Sequence, residues 1–296
     1  MKRIAVMGSG SWGTALAILL HKNGHQVTLW SFDKKENEKL QETRENLQYL
    51  PGILIPHQIQ LTHNIKKALQ ENEIIVIAIP SRFIRENLIK FAPYINKHQI
   101  IINVSKGLEE NTLLRISQII REIFVDNPIA VLSGPSHAEE VAKDLPTTCV
   151  VASASLNVSE FVQEIFMSPK FRIYTNTDLI GVELGGALKN VMALAAGISD
   201  GLGFGDNTKA ALMTRGIVEI TRLGVAMGAQ LQTFSGLSGI GDLIVTCTSS
   251  HSRNWKAGFL IGQGNSLENA LKKVHMVVEG VHTAKSALTL SKKYNV

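Results

Sequence analysis

Short apolar runs recur through the first half of the chain: Ile4-Ala5-Val6-Met7, Val27-Thr28-Leu29-Trp30, residues 74–79, Ile100-Ile101-Ile102, Ile129-Ala130-Val131-Leu132, residues 148–151 and Arg172-Ile173-Tyr174. They are strand-sized, rich in β-branched residues and nearly continuous in apolarity, the pattern of strands covered on both faces. Amphipathic stretches, among them residues 12–23 and 112–124, fall between them. Strand and helix in alternation predict a parallel sheet with helices packed on each side. After Tyr174 the strand signals stop. Val182, Leu184, Leu188, Val191, Met192 and Ala195 recur at helical spacing, and further helices are predicted over residues 208–227, 253–262, 266–274 and 280–293. A boundary near residue 178 therefore separates an α/β half, residues 1–178, from an all-helical half, residues 179–296. Longer loops are expected at residues 47–59 and 201–207, the other connections being short.

Candidate chemistry starts where the first strand ends. Gly8-Ser9-Gly10-Ser11-Trp12-Gly13 follows that strand and opens the first helix. In this context Gly8 permits a tight turn, Gly10 lets the backbone approach a pyrophosphate, and Gly13 allows close packing, with the pyrophosphate on the free N–H groups of the helix start. The first half thus reads as a Rossmann-type dinucleotide-binding domain. Asp33 falls about 20 residues after Gly13, where a carboxylate commonly accepts the ribose hydroxyls of NAD and repels the 2′-phosphate of NADP. Asp33 and Glu36 also have the spacing of a helix capping box, and Lys34 and Lys35 could draw a 2′-phosphate to the helix start. NADH use is expected on balance. Pro80-Ser81, at the end of the 74–79 run, lies at the ligand edge of such a sheet or is simply a strand-to-helix turn.

Composition narrows the partners. The 296 residues are 45% hydrophobic and 19% charged, ordinary for a globular enzyme. A formal charge of +5 and a pI near 9.1 favour anionic partners. Lys272-Lys273 and Lys292-Lys293 are isolated pairs, so no basic block points to nucleic acid, and phosphorylated metabolites fit. Cys149 and Cys247 stand far apart in no metal-ligand spacing, so reduced thiols and no metal site are expected. No apolar run approaches the ~18 residues of a membrane span, and the stretch after Lys2-Arg3 is broken by the glycine-rich turn. A cytoplasmic protein is expected.

Several strings carry a resemblance. They are GSGSWGTALA at residues 8–17, NLQYLPGILIP at 46–56, Ser105-Lys106-Gly107-Leu108-Glu109, Ser133-Gly134-Pro135-Ser136 and VELGGALKNVMALAAGISD at 182–200. GLGFGDNTKAALMTRG at 201–216, SGIGDLIVTC at 238–247, Ser252-Arg253-Asn254 and Val277-Val278-Glu279-Gly280 follow in order. Over nearly its whole length the chain resembles the bacterial NAD(P)-dependent glycerol-3-phosphate dehydrogenases. The resemblance implies a 6-phosphogluconate-dehydrogenase-like architecture and hydride transfer between NAD(P)H and dihydroxyacetone phosphate. It further implies a homodimer that supplies glycerol 3-phosphate for phospholipid synthesis. Family members continue for some tens of residues beyond the position of Val296, which implies a shortened helical domain.

The resemblance also assigns residues. Lys189 is implied as the general acid/base, and its surroundings agree: Leu188 and Val191 beside it make a poor setting for a solvent lysine, and Gly185-Gly186-Ala187 permits close approach. A ketone reduced by hydride needs such a proton donor, and a cation to stabilise the developing alkoxide. Lys106 is implied beside substrate and nicotinamide. Asp242 is implied to position the substrate and Lys189, although a helix cap suits it equally. Gly134, Ser136, Asn190, Ser252, Arg253 and Asn254 complete the implied substrate set, Arg253 offering phosphate a planar fork. The implied cofactor set is Gly8, Gly10, Ser11, Trp12, Gly13, Phe32, Asp33, Lys106, Ala138, Arg253, Val277 and Glu279. Many relatives carry arginine at Phe32, where it meets a 2′-phosphate, and Phe32 can only lie against the adenine. Two other readings compete: a related reductase of another small acid, such as a ketopantoate reductase, and an inactive NAD(H)-binding regulator.

Overall fold

The apolar runs become strands of one sheet. In a computed structural model, which describes residues 1–274 and 276–296, the strands are β1 (Arg3–Met7), β2 (Gln26–Trp30), β3 (Glu45–Asn46), β4 (Leu50–Leu54), β5 (Gln60–Thr62), β6 (Ile74–Ile77), β7 (Ile100–Asn103), β8 (Ile129–Ser133), β9 (Thr147–Ala152) and β10 (Phe171–Asn176). The helices of the first half are α1 (Ser11–Lys22), α2 (Lys34–Thr43), α3 (Ile65–Leu69), α4 (Ile84–Phe91), α5 (Ile116–Ile123), α6 (Ala138–Ala142) and α7 (Leu156–Phe166). Those of the second half are α8 (Leu179–Gly201), α9 (Asp206–Ala226), α10 (Asp242–Thr248), α11 (Arg253–Gly262), α12 (Leu267–Val274) and α13 (Glu279–Tyr294). The strand order is β10-β9-β8-β7-β6-β1-β2-β5, with β1 between β2 and β6. The chain thus reverses its direction of travel across the sheet beside β1. At such a point the carboxyl ends of the strands open into a crevice. Buried clusters on the two sheet faces, one around Leu16, Leu29 and Val76 and one around Ile75, Leu88 and Ile119, form the core.

Four details differ from the sequence reading. Residues 47–59 are not a plain loop: β4 lies within them and pairs antiparallel with β3 just before, and β5 just after adds an edge strand beside β2. Helix α5 begins at Ile116 rather than near 112, because Leu108 and Arg115 bridge and fold the preceding residues into a turn. The 201–207 loop shrinks to residues 202–205 as α8 and α9 extend into it. The sheet is also not wholly parallel, since β9 runs antiparallel to β8 and β10 parallel to β9.

That reversal positions the second half. Strands β9 and β10 end at the edge opposite the crevice, so α8, capped by Asp178, starts there and runs back along the sheet. Val182 packs on Val131 and Val150, and seven residues later, about 10 Å along a helix, Lys189 arrives beyond the end of β8. Helix α8 is apolar enough, with mean hydropathy 1.4, to cross a membrane by composition, but two-thirds of that stretch is buried inside the protein. It is a core helix. Gly197 and Gly201 interlock with Gly258 and Gly262 of α11: a Cβ on Gly197 would lie 2.1 Å from the Trp255 carbonyl, and one on Gly258 2.0 Å from that of Leu194.

Glu183 ties α8 to the sheet half. Its Oε1 accepts from the Ser117 N–H at 2.8 Å, and its Oε2 accepts from the Ser117 hydroxyl at 2.5 Å and from Arg115 at 2.7 Å, all at the first turn of α5. Glu183→Ala should therefore lower the unfolding free energy by about 3 kcal/mol, because it removes the carboxylate that pairs with the largely buried Arg115 and accepts from Ser117. Urea denaturation of the variant checks this, and a loss below about 0.5 kcal/mol would remove Glu183 as a structural tie.

Candidate active site

Three of the residues singled out from sequence meet at the crevice. Lys189 is 5% exposed and Asp242 1%. The Lys189 ammonium donates to Asp242 Oδ1 and, at 2.6 Å, to the Thr246 hydroxyl. Lys106, on the turn after β7, donates to Asp242 Oδ2 at 2.6 Å and to the Gly134 carbonyl at 3.0 Å. One buried carboxylate is thus shared by two ammonium groups. Asp242 is the first residue of α10, and its side chain turns to the lysines instead of capping that helix. Burial pushes the Lys189 amine down to about 7, with the Lys106 charge acting in the same sense and Asp242 opposing. Each ammonium has three N–H groups and uses two on the protein, so each keeps one for a ligand. This set suits an anionic substrate that exchanges a proton near neutral pH.

The glycines of α8 make the approach possible. A Cβ on Gly186 would lie 2.6 Å from the Ser133 hydroxyl, and one on Gly185 2.4 Å from the Ser238 carbonyl. Gly134 has φ +137°, and its carbonyl also accepts from the Ser136 hydroxyl at 3.0 Å. Across the crevice, Ser252 caps α11 through the Trp255 N–H, and Arg253 follows as the first helical residue. Arg253 is open to solvent yet protein surrounds it, which lowers its guanidinium pKa despite Glu279 and Glu139 nearby. Among the described residues it makes no hydrogen bond or ion pair within the protein, so its fork is free. Asn254, expected as a substrate donor, is instead buried: its Oδ1 accepts from Gly280 N–H at 2.8 Å and its amide donates to Asn190 at 3.0 Å. Asn190 and Asn254 thereby stitch α8, α11 and α13 together next to Lys189.

The glycine-rich turn stands beside this cluster. Gly8 has φ +124°, and a Cβ there would meet the Ala78 carbonyl at 2.3 Å; one on Gly13 would meet the Gly8 carbonyl at 1.9 Å. Gly10, the N-cap of α1, faces open space. Its missing side chain is thus required by no protein neighbour, while the unpaired N–H groups of Ser11 and Trp12 at the helix start suit an anion. These residues fit the pyrophosphate of a dinucleotide. Ala138 packs with Ala15, Leu50 and Trp12. Phe32 is 71% exposed, its ring edge-on to Trp30 at 6.3 Å. Asp33 caps α2 through the Glu36 N–H at 2.9 Å, as its capping-box spacing allowed. Val277 is partly exposed just ahead of α13. Glu279 reaches across to the sheet half and accepts from Ser81 N–H at 2.9 Å and from its hydroxyl at 2.5 Å, which explains why Ser81 lies at this edge.

The sequence reading missed two members of the site. Thr246 lies four residues after Asp242, one turn along α10, a spacing that places both on one helix face. His137 follows Ser136; its Nε2 is buried without a hydrogen-bond partner, its ring is 5.8 Å from that of His251, and burial and the Lys189 charge lower its pKa. A separate cavity of about 820 Å³, lined by Arg3, Gln26, Arg44, Gln60 and Lys67 among others, opens where β1 and β2 begin. It lies at the opposite edge of the sheet from the lysines.

Comparison with known proteins agrees with this geometry. Residues 3–159 match the family described as NAD-dependent glycerol-3-phosphate dehydrogenase N-terminus, and residues 178–296 match the corresponding C-terminus. The NAD(P)+ glycerol-3-phosphate dehydrogenase of Fusobacterium nucleatum is 59% identical over 100% of this chain and 89% of its own length. That of Bacillus subtilis is 52% identical over 100% and 87%. A crystal structure of glycerol-3-phosphate dehydrogenase from Coxiella burnetii superimposes with TM-score 0.96 at 37% identity, covering 100% of this chain and 90% of that one. A ketopantoate reductase from Ralstonia eutropha, at TM-score 0.58 and 15% identity, shares the fold alone.

The depressed Lys189 pKa has a thermodynamic signature. In the unfolded chain a lysine holds its proton up to about pH 10.4. Between about 7 and that value the unfolded state therefore binds the extra proton, and stability rises with pH. Relative to Lys189→Met, which has no such group, the wild-type chain should gain unfolding free energy between pH 6.5 and 9.5. Parallel denaturation curves that keep a constant gap at both pH values would mean that Lys189 titrates normally.

Proposed function

The chain belongs to the NAD-dependent glycerol-3-phosphate dehydrogenase family, and on that premise we propose how its own residues interconvert dihydroxyacetone phosphate and sn-glycerol 3-phosphate. The observation that carries the assignment is the buried carboxylate of Asp242 held between Lys189 and Lys106 at the crevice beside the glycine-rich turn. Gly8, Gly10, Ser11, Trp12 and Gly13 hold the dinucleotide, with Phe32, Ala138, Val277 and Glu279 around it. When bound, the reduced nicotinamide supplies the hydride. Arg253 holds the substrate phosphate by its free fork, and Gly134 and Ser136 line the opposite wall. As the substrate carbonyl becomes an alkoxide, the remaining N–H of Lys189 delivers a proton to that oxygen, leaving a neutral amine held by Thr246 and Asp242. The Lys106 charge stabilises the same oxygen. Asp242 keeps both ammonium groups in place and limits their mutual repulsion. In the reverse direction neutral Lys189 removes the alcohol proton.

The competing readings fit less well. A free arginine fork would serve a carboxylate as well as a phosphate ester, so what weighs against a reductase of another small acid is the family match along both halves of the chain. An inactive regulator would retain a buried lysine and carboxylate with a second, half-buried lysine on the same carboxylate, a costly arrangement without a reaction to serve. We place the division between nucleotide and substrate domains at residue 178, where Asp178 caps α8. A cytoplasmic setting fits the two free, buried cysteines. We assign a homodimer on the strength of the exposed apolar side chains Leu202, Phe204, Val218 and Val225 on the helical half.

Proton transfer by Lys189 predicts opposite pH limbs. kcat/KM for dihydroxyacetone phosphate should fall as pH rises through about 7, where the acid is lost, and kcat/KM for glycerol 3-phosphate should rise through the same range. Lys189→Ala should lower turnover at least ~10²-fold and flatten both limbs while nucleotide binding persists. Near-normal turnover would remove Lys189 from the reaction.

Arg253→Ala tests the phosphate contact. Efficiency with dihydroxyacetone phosphate should fall by at least ~10²-fold, whereas the slow reduction of unphosphorylated dihydroxyacetone should change far less. Equal losses with both substrates would reassign Arg253 to the cofactor or the fold.

A further inference from the structure

We propose that Glu36 sets the cofactor preference: its carboxylate accepts a hydrogen bond from the adenosine ribose 2′-hydroxyl and repels a 2′-phosphate, so that the chain favours NAD(H). The inference rests on the reading that the glycine-rich turn holds the dinucleotide. Strands β1 and β2 are parallel neighbours with Met7 opposite Trp30, and the Gly8 N–H donates to the Trp30 carbonyl at 3.1 Å. The turn after β1 and the start of α2 after β2 therefore emerge side by side. Asp33 was the carboxylate expected there, but it is occupied in capping α2 and lies outside the fold's interior.

Glu36 departs from the usual capping arrangement. In a reciprocal box its side chain would return to the backbone N–H of Asp33. Here its Oε1 accepts instead from the hydroxyl of Ser9, the residue between Gly8 and Gly10. Ser9 is held in turn by Asn46, whose amide donates to the Ser9 carbonyl at 2.7 Å and to the Thr14 hydroxyl at 2.9 Å. The half-buried Glu36 carboxylate is thus fixed against the turn, and among the described residues its Oε2 receives no hydrogen bond. A ribose hydroxyl supplies the missing donor, and the charge-assisted bond is strong. A phosphate at that place sets like charges together where protein displaces part of the screening water. The cations nearby are placed differently. Lys34 is exposed and 3.8 Å from Glu38, Lys35 is exposed, and the Lys90 ammonium lies 5.8 Å from the Phe32 ring centroid.

Calorimetric binding of ADP and 2′,5′-ADP to the full chain tests this without turnover, alongside kcat/KM for NADH and NADPH. The wild-type chain should bind ADP more tightly and use NADH more efficiently. Glu36→Gln keeps the shape and removes the charge, and should shift both ratios toward the phosphorylated nucleotide by at least ~10-fold. Glu36→Asp keeps the charge and should stay closer to wild type than Glu36→Gln does. Unchanged ratios in Glu36→Gln, equal shifts in the two variants, or a wild-type preference for NADPH would overturn the proposal. A wild-type chain that binds neither ADP nor 2′,5′-ADP would instead overturn the cofactor site beneath it.

Discussion

Asp242 offers two oxygens, and two lysines from different parts of the chain each take one, in a place that water scarcely reaches. With both amines protonated the three groups carry one surplus positive charge that the protein does not cancel. A buried surplus of that kind has only two outlets: an amine gives up its proton, or an anion arrives. On the proposed mechanism the site uses both: Lys189, whose pKa burial lowers, gives up its proton, while the entering phosphate ester meets the remaining charge. Lys106 and Asp242 belong to separate halves of the chain, so the same three charges also hold those halves together.

The fold brings these groups together by backbone routing. Lys189 lies mid-helix, where most lysines face solvent, and it is buried because α8 passes directly over the end of β8. Gly185 and Gly186 remove the side chains that would hold the helix away from Ser133 and Ser238. Further along, the interlocked glycines of α8 and α11 draw Arg253 and Asn254 up to Asn190. Glu183 and Glu279 provide the links back to the sheet half, at Ser117 and Ser81. Small residues set the distances and buried carboxylates set the alignment.

Much of this was legible in the sequence, and the remainder was hidden for specific reasons. The glycine-rich turn announced itself because strand, glycine spacing and helix coincide, and Lys189 stood out among apolar neighbours. The reversal at β9 was invisible, since a buried β-branched run looks the same in either direction. Strand β5 and the β3–β4 pair were missed because short edge strands carry mixed polarity, and Pro51 and Gly52 resemble loop residues. Thr246 gave no signal, as its role depends on how α10 is rotated about its axis. Spacing pointed to Asp33 and offered Glu36 only as its capping partner, and the side-chain contact between Glu36 and Ser9 exists only once the two turns are folded side by side.

The antiparallel pairing of β8 with β9 also limits how such a protein can be assembled by recombination. A helical module fused behind an all-parallel nucleotide-binding sheet would begin at the crevice edge and run away from it. A six-residue strand spans about 20 Å, so a last strand running parallel to β8 would start the long helix about that far from where α8 starts. Its central lysine would then miss the cofactor altogether. The two reversed strands thus act as an adaptor in the gene. A chimaera that joins this helical half to an all-parallel nucleotide-binding sheet therefore needs β9 and β10 as well.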